Sequence, residues 1–416
     1  MTVRTPDTLC PGCFADKGQA NPCPHCGYDE QAERGPLILP HRTRLHEEFM
    51  VGRVLGKPGG FGITYLGWDL SLQTRVAIKE FLPRDLARRS SDRVTVAVHS
   101  QDDDERFRFG LEQFLREART LAQLDHPNIV RVRCFFEANG TAYLVMDYYQ
   151  GFSLAEYLDQ QGGRIPEEQA KQLMLPILDG LRAVHVKGFL HRDIKPQNIY
   201  LAGLESGGVR PILLDFGAAR QAMGERSRSL SVVVSPGYEP FEQYHRKSRQ
   251  GPWTDIYSAA AVLYRLVTGE TPPEATERMA GDTIKPPTDF GVTQALSQAI
   301  AAGLALVPEA RPQSAHDLQA RLWGGGALVL PAPYPSSDPP LHTLPSPERK
   351  GSPWWPALLL VSLVLLGLGA WYQYREDQIE AALRQGADDR AIEHPQASIA
   401  AGGSSRSSPR SATTPN

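Results

Sequence analysis

Near residue 100 the spacing of apolar residues changes from two to between three and four, and this change limits the possible fold more than any other feature. Before it, FMVGRVL, ITYLGWDL and TRVAIKEFL alternate as strands do. After it, Phe107, Leu111, Phe114, Ala118 and Leu121 recur on one face of ERFRFGLEQFLREARTLAQL, as in a helix. A β-rich lobe followed by a helical lobe is therefore expected, an α+β body over residues 46–323. No repeat at solenoid periods competes with this reading. The 416 residues allow two or three folded units, and only this body is long enough for a large core.

Composition divides the rest. A Cys/Pro/Gly head occupies 7–30, a proline-rich linker 324–353, an apolar run 354–374 and a polar tail, expected to be disordered, 375–416. Trp354 to Tyr372 carries no charge and has aromatic residues at both ends, which predicts one transmembrane helix. Gly367 and Gly369 are two apart, not four, so homodimerisation through this span is not expected. Lys+Arg 44 against Asp+Glu 47 leaves a net charge of -3, and no global field points to nucleic acid as a partner. The sequence MTVRTPDTLC lacks the profile of a secretory signal, which places the body in the cytosol.

Cys10, Cys13, Cys23 and Cys26 form two CxxC pairs separated by nine residues, with Cys134 the remaining cysteine. Four thiolates suit tetrahedral Zn2+, and a head too short to bury a core would draw on the metal for on the order of 10 kcal/mol of folding free energy. Reactive or disulfide-forming thiols are the competing reading.

In the body, LGKPGGFGITY over Leu55 to Tyr65 is a glycine-rich turn between strands, where backbone N–H groups can approach phosphate oxygens. Lys79 ends the third strand. Glu117 follows 38 residues later, on the helix face of Phe114 and Leu121, where it can pair with the lysine ammonium. Then comes Phe189-Leu190-His191-Arg192-Asp193-Ile194-Lys195-Pro196-Gln197-Asn198, with Asp215-Phe216-Gly217 starting 17 positions after Asn198.

This ordered series resembles the protein kinase superfamily, and VAIKEFLPRDLA, LHRDIKPQNI, DFGAARQ and PGYEPFEQY look most like a bacterial Hanks-type serine/threonine kinase with a zinc-ribbon-like head. The resemblance implies the two-lobed kinase fold, with ATP and Mg2+ (or Mn2+) as cofactors. It implies that Gly56, Gly59, Gly60 and Gly62 cover the phosphates, that Lys79 contacts the α/β-phosphates with Glu117 positioning it, and that Asn198 and Asp215 hold the Mg2+ ions. Asp193 would accept the substrate hydroxyl's proton, and Lys195 would stabilise the transferred phosphoryl group. Met146 would guard the back of the adenine pocket, Ala77 would cover the ring, and the hinge from Asp147 to Tyr149 would bond the base. Asp255, and Arg311 with Glu242, would be structural anchors. Ser235 would contact the catalytic loop.

The stretch from Asp215 to Glu242 resembles an activation segment, and Arg226, Ser227, Arg228, Ser229 and Ser231 within it suggest autophosphorylation with Arg192 as phosphate receiver. The implied protein is a single-pass kinase of the inner (plasma) membrane, its catalytic body cytoplasmic, acting on protein serine and threonine. The rival is a membrane-tethered kinase-like scaffold that binds nucleotide without transfer. One departure stands out. Pro58 lengthens the glycine turn, so the four glycines cannot all fit G-x-G-x-x-G, and weakened or re-angled phosphate covering is expected. Deleting Pro58 should therefore change nucleotide affinity, and equal dissociation constants in a direct binding titration would refute this.

Overall fold

The computed structural model describes residues 6–217, 235–245 and 248–323. The segment 324–353, the span 354–374 and the tail 375–416 lie outside the described residues, as do Arg226, Ser227, Arg228, Ser229 and Ser231. Among the described residues no helix is long and apolar enough to cross a membrane.

The three strand-like segments form strands close to where alternation predicts them: β2 (Phe49–Val54), β3 (Gly62–Asp69) and β4 (Thr74–Phe81). With β1 (Arg44–Leu45), β7 (Val132–Ala138) and β8 (Thr141–Asp147) they make an antiparallel sheet in the order β1-β2-β3-β4-β8-β7. The short hairpin β5 (Ala87–Arg89) and β6 (Val96–Val98) leads into α1 (Gln101–Leu121). Ser100 caps α1 by accepting the Asp103 N–H, and Asp102, Asp103 and Asp104 complement the positive end of its dipole. Phe107, Phe114, Ala118 and Leu121 form its buried face, and Phe107 and Phe114 pack on Phe81 of β4 with ring centroids 5.4 and 5.6 Å away.

The second lobe begins with β9 (Gly151–Ser153), α2 (Leu154–Gln160) and α3 (Glu167–Val186). A small sheet of β9, β10 (Ile199–Gly203) and β11 (Val209–Leu213) carries the segments that flank the cleft. The helices α4 (Phe241–Tyr244), α5 (Pro252–Thr268), α6 (Ala275–Ala280), α7 (Gln294–Gly303) and α8 (Ala315–Leu322) complete it. Helix α5 is apolar nearly all round, from Ile256 to Val267, because it is the central helix of this lobe. The expected anchor is present: Arg311 donates to both oxygens of Glu242 at 2.6 and 3.1 Å, beneath the cleft and buried.

Sequence reading passed over a second buried ion pair, in the first lobe. Glu80 neighbours Lys79 on β4 and has no exposed surface. Its carboxylate accepts hydrogen bonds from Arg89 of β5, from the Tyr65 hydroxyl at 3.0 Å and from the Tyr143 hydroxyl at 2.9 Å. Arg89 also donates to the Leu37 and Val94 carbonyls, both at 2.9 Å, so one guanidinium fastens the hairpin before α1 to the sheet. Replacing Arg89 by Leu strands a buried carboxylate and is expected to cost about 3–5 kcal/mol in urea unfolding, part of it recovered when Glu80 becomes Met as well.

Candidate active site

The cleft is built from segments tied to one another by buried hydrogen bonds. Asp255, at the start of α5, has no exposed side-chain surface and accepts the N–H groups of His191 at 2.9 Å and Arg192 at 2.7 Å, while His185 bonds it at 2.7 Å. Those bonds hold Arg192 at φ 66°, a left-handed conformation that turns the chain so that Asp193 faces the cleft. His191 locks the next segment. Its Nε2 donates to the Leu214 carbonyl at 2.7 Å, its Nδ1 accepts the Asp193 N–H at 3.3 Å, and its ring packs 4.4 Å from that of Phe216.

The expected catalytic residues converge on this frame. Lys195 Nζ lies 2.9 Å from Asp193 Oδ1, and Asn198 Nδ2 donates to the Asp193 carbonyl and to its Oδ2 at 2.8 and 2.9 Å. The Ser235 hydroxyl sits between them, donating to Asp193 Oδ1 at 3.2 Å and accepting from Lys195 at 3.0 Å, in the contact with the catalytic loop expected of it. Gln243 of α4 donates to the Arg192 carbonyl at 2.9 Å, which ties this helix to the same loop.

Across the cleft, Lys79 donates to Asp215 Oδ1 at 2.8 Å. Lys79 thus ion-pairs with Asp215, and Glu117, the partner expected from the sequence, lies buried on α1 with its charge also acting on Lys79. Burial opposes the Lys79 charge, yet Asp215, then Glu117 and Asp193, raise its pKa above the ordinary value. Burial would likewise raise Asp215, and the Lys79 ammonium overrides it and holds the carboxylate below its ordinary value. Asn198 spends its Nδ2 on Asp193, so its amide oxygen and the Asp215 carboxylate are the hard oxygen donors that can hold a divalent cation.

Ala77 and Met146 are register partners, side by side on β4 and β8. Pairing of these strands ends at Val76 and Asp147, so from Tyr148 onward the hinge backbone leaves the ladder. Asp147 donates its N–H to the Arg131 carbonyl, and its carboxylate accepts from Arg133 Nε at 2.7 Å, so what the hinge can offer a base is backbone.

The glycines divide by role. A Cβ on Gly56 or Gly60 would meet nothing within 4 Å, and Gly56 has φ 66°, so these two leave backbone open to a phosphate. A Cβ on Gly59 would meet only the Gly62 carbonyl, at 3.7 Å. Gly62 instead starts β3, and a Cβ there would collide with the Glu80 carbonyl, which assigns it to strand packing.

The four head cysteines also come together. Their sulfurs lie within 4.8 Å of one another, a group that could hold a metal ion. Burial, with the neighbouring thiols adding to it, pushes Cys10 up to about 12 and raises Cys13 as well, a shift that a cation among the sulfurs would oppose. His25 is turned to the Asp16 carbonyl at 3.0 Å.

The chain is similar to known proteins. A family description, protein kinase domain, matches residues 49–301. Serine/threonine-protein kinase pkn2 of Myxococcus xanthus is 35% identical over 241 residues, 57% of this chain and 26% of that protein. Serine/threonine-protein kinase PknJ of Mycobacterium tuberculosis is 31% identical over 325 residues, 74% of this chain and 50% of that protein. The chain thus spans about a quarter to a half of the length of these curated relatives. Among solved structures, "PpkA-294 apo form" is 38% identical with a TM-score of 0.62, covering 69% of this chain and 99% of that one. The Mycobacterium tuberculosis PknI kinase domain, 22% identical with a TM-score of 0.51 over 68% of this chain and 98% of that one, shares the fold.

The buried histidine gives the site a pH signature. Burial pushes His191 below its ordinary 6.5, and protonating Nδ1 would cost the bond from the Asp193 amide. Between that depressed value and 6.5 the unfolded ring binds a proton that the native ring refuses. Its contribution is therefore complete above pH 6.5 and is lost as pH falls, by at most about 1.4 kcal/mol per pH unit. His41, pushed down to about 4 by burial and then by Arg34, adds a slope of the same sign. Thermal unfolding from pH 7 to pH 5 should show a falling midpoint, and His191→Gln should flatten that fall without abolishing it.

Proposed function

Given that this chain belongs to the protein kinase family, we propose that it is a serine/threonine protein kinase, transferring the γ-phosphate of ATP to serine and threonine hydroxyls of proteins. The observation that carries the reading is the meeting of two paired sets at one cleft, Lys79 from one lobe with Asp215, and Asp193 with Lys195 and Asn198, near enough that the Asp193 charge acts on Lys79 and the Lys195 charge on Asp215. A substrate hydroxyl approaching Asp193 gives up its proton to that carboxylate as its oxygen attacks the γ-phosphorus, and the bond to the β-phosphate oxygen breaks in line. Lys195, already 2.9 Å from Asp193, neutralises charge gathering on the phosphoryl oxygens. Lys79 exchanges Asp215 for the α/β-phosphates, which frees Asp215 to face a cation. Asn198 and Asp215 would hold Mg2+, which would supply charge neutralisation at the phosphates. Binding adenine falls to Ala77, Met146 and the backbone from Asp147 to Tyr149.

Three further features belong to the same reading. Zn2+ is the ion that suits four cysteine sulfurs at CxxC spacing. The apolar run 354–374, behind the proline-rich linker, anchors the protein in the inner (plasma) membrane, with the ATP-consuming body in the cytoplasm and 375–416 beyond the bilayer. Serines of the activation segment, Ser227, Ser229 and Ser231, are targets of autophosphorylation, with Arg192 receiving the phosphate.

Incubation of the full chain with γ-labelled ATP and a generic basic protein should label the substrate, and Asp193→Asn should cut the rate by about 10²- to 10⁴-fold while leaving nucleotide affinity within a few-fold. Nucleotide binding with no label in either sample would favour the transfer-incompetent scaffold instead.

A further inference from the structure

The cysteine head, which composition sets apart from the body, is docked on the strand that leads into the nucleotide loop. The β2–β3 register shifts between Val51 and Val54, which marks a bulge at Gly52 and Arg53. A bulge takes a residue out of the ladder, and its N–H needs another acceptor. Arg53 finds it in the head: its N–H donates to the Pro11 carbonyl at 2.8 Å, and its Nε donates to the Gly12 carbonyl at 2.9 Å. Pro11 and Gly12 are the two residues between Cys10 and Cys13, so the turn that would wrap a metal ion is the turn that holds the bulge.

Two further contacts fix the same spot. Gly52 admits no side chain, because a Cβ there would collide with the Pro11 carbonyl and lie 2.9 Å from the Phe14 ring. Leu9 and Phe14 bury themselves with Met50, Leu66 and Trp68, and Phe14 packs 5.5 Å from Trp68. Leu55, the first residue after β2, packs against this cluster, and so does Tyr148 of the hinge. The glycine turn thus springs from a strand end whose path is set on one side by the head.

We infer that the four-cysteine knuckle is a metal-dependent positioning device for the nucleotide loop, so that metal occupancy, relayed through Arg53 and Leu55, sets the affinity for ATP. This rests on the proposal that the four thiolates hold zinc. Without the ion, the Cys10–Cys13 turn loses its constraint, the bulge loses a fixed acceptor, and the loop samples angles that no longer present its amides to phosphate. Asp193 and Lys195 belong to the other lobe and do not touch the head, so the effect falls on nucleotide binding and spares the chemical step.

The test uses the full chain, as purified and after chelation with Mg2+ restored, with metal content measured in each sample. Removing the metal is expected to weaken binding of a non-hydrolysable ATP analogue about tenfold and to raise KM for ATP by a similar factor, with kcat within about twofold. Amides over residues 52–61 should exchange faster while those of α5 do not. Arg53→Ala should keep its metal yet show a smaller shift in the same direction, which separates relay from folding. Unchanged nucleotide affinity in verified metal-free chain would overturn the inference, as would parallel loss of kcat with protection lost throughout. Protein that carries no metal when purified would overturn both this inference and the zinc assignment. Absent phosphoryl transfer with the nucleotide response intact would support the inference and sink the transfer reading instead.

Discussion

A carboxylate with no solvent contact governs the active cleft. Asp255 takes the amides of His191 and Arg192 and the ring of His185, and these bonds keep its pKa below the ordinary carboxylate value although burial alone would raise it. Neutral backbone amides alone could not be held in this unfavourable loop geometry so cheaply; a full negative charge roughly doubles the strength of each bond. Arg192 at φ 66° and, in the facing segment, Asp215 at φ 45° are strained positions of the cleft. His191 sits between them, bonded to the Leu214 carbonyl, so the two catalytic segments are registered against each other by one imidazole.

Among the described residues the charged groups of the cleft are paired with one another. Lys79 is satisfied by Asp215, while Asn198, Lys195 and Ser235 each bond Asp193. In the proposed reaction, nucleotide and cation would exchange partners with groups already charged and aimed, and transfer would depend on that preorganisation more than on covalent chemistry. The ion pair between Lys79 and Asp215 also joins the sheet of one lobe to the loop following β11 in the other.

The first lobe is fastened from both ends of its chain order. Arg89 ties the hairpin ahead of α1 to Glu80, the neighbour of Lys79, and the cysteine head ties β2 just ahead of the glycine turn. Both braces give the sheet buried partners beside the glycine turn and Lys79. The head gains in return. Leu9 and Phe14 reach a core that so short a segment could not make alone.

The amino-acid order by itself determined whatever is local or carried by identity. Strand alternation, the α1 face from Phe107 to Leu121, the two CxxC turns and the series Lys79, Asp193, Lys195, Asn198, Asp215 were all legible, because spacing along the chain sets periodicity and side-chain chemistry sets what each group can hold or transfer. The tertiary structure alone decided the partnerships. That Lys79 bonds Asp215, that Glu80 meets an arginine from an inserted hairpin, that Gly62 serves strand packing, and that Arg53 gives its amide to Pro11 depend on residues distant in sequence and on a one-residue bulge. A buried charge or an unpaired amide takes the acceptor that the packed chain brings within 3 Å, and no linear pattern records which one that is.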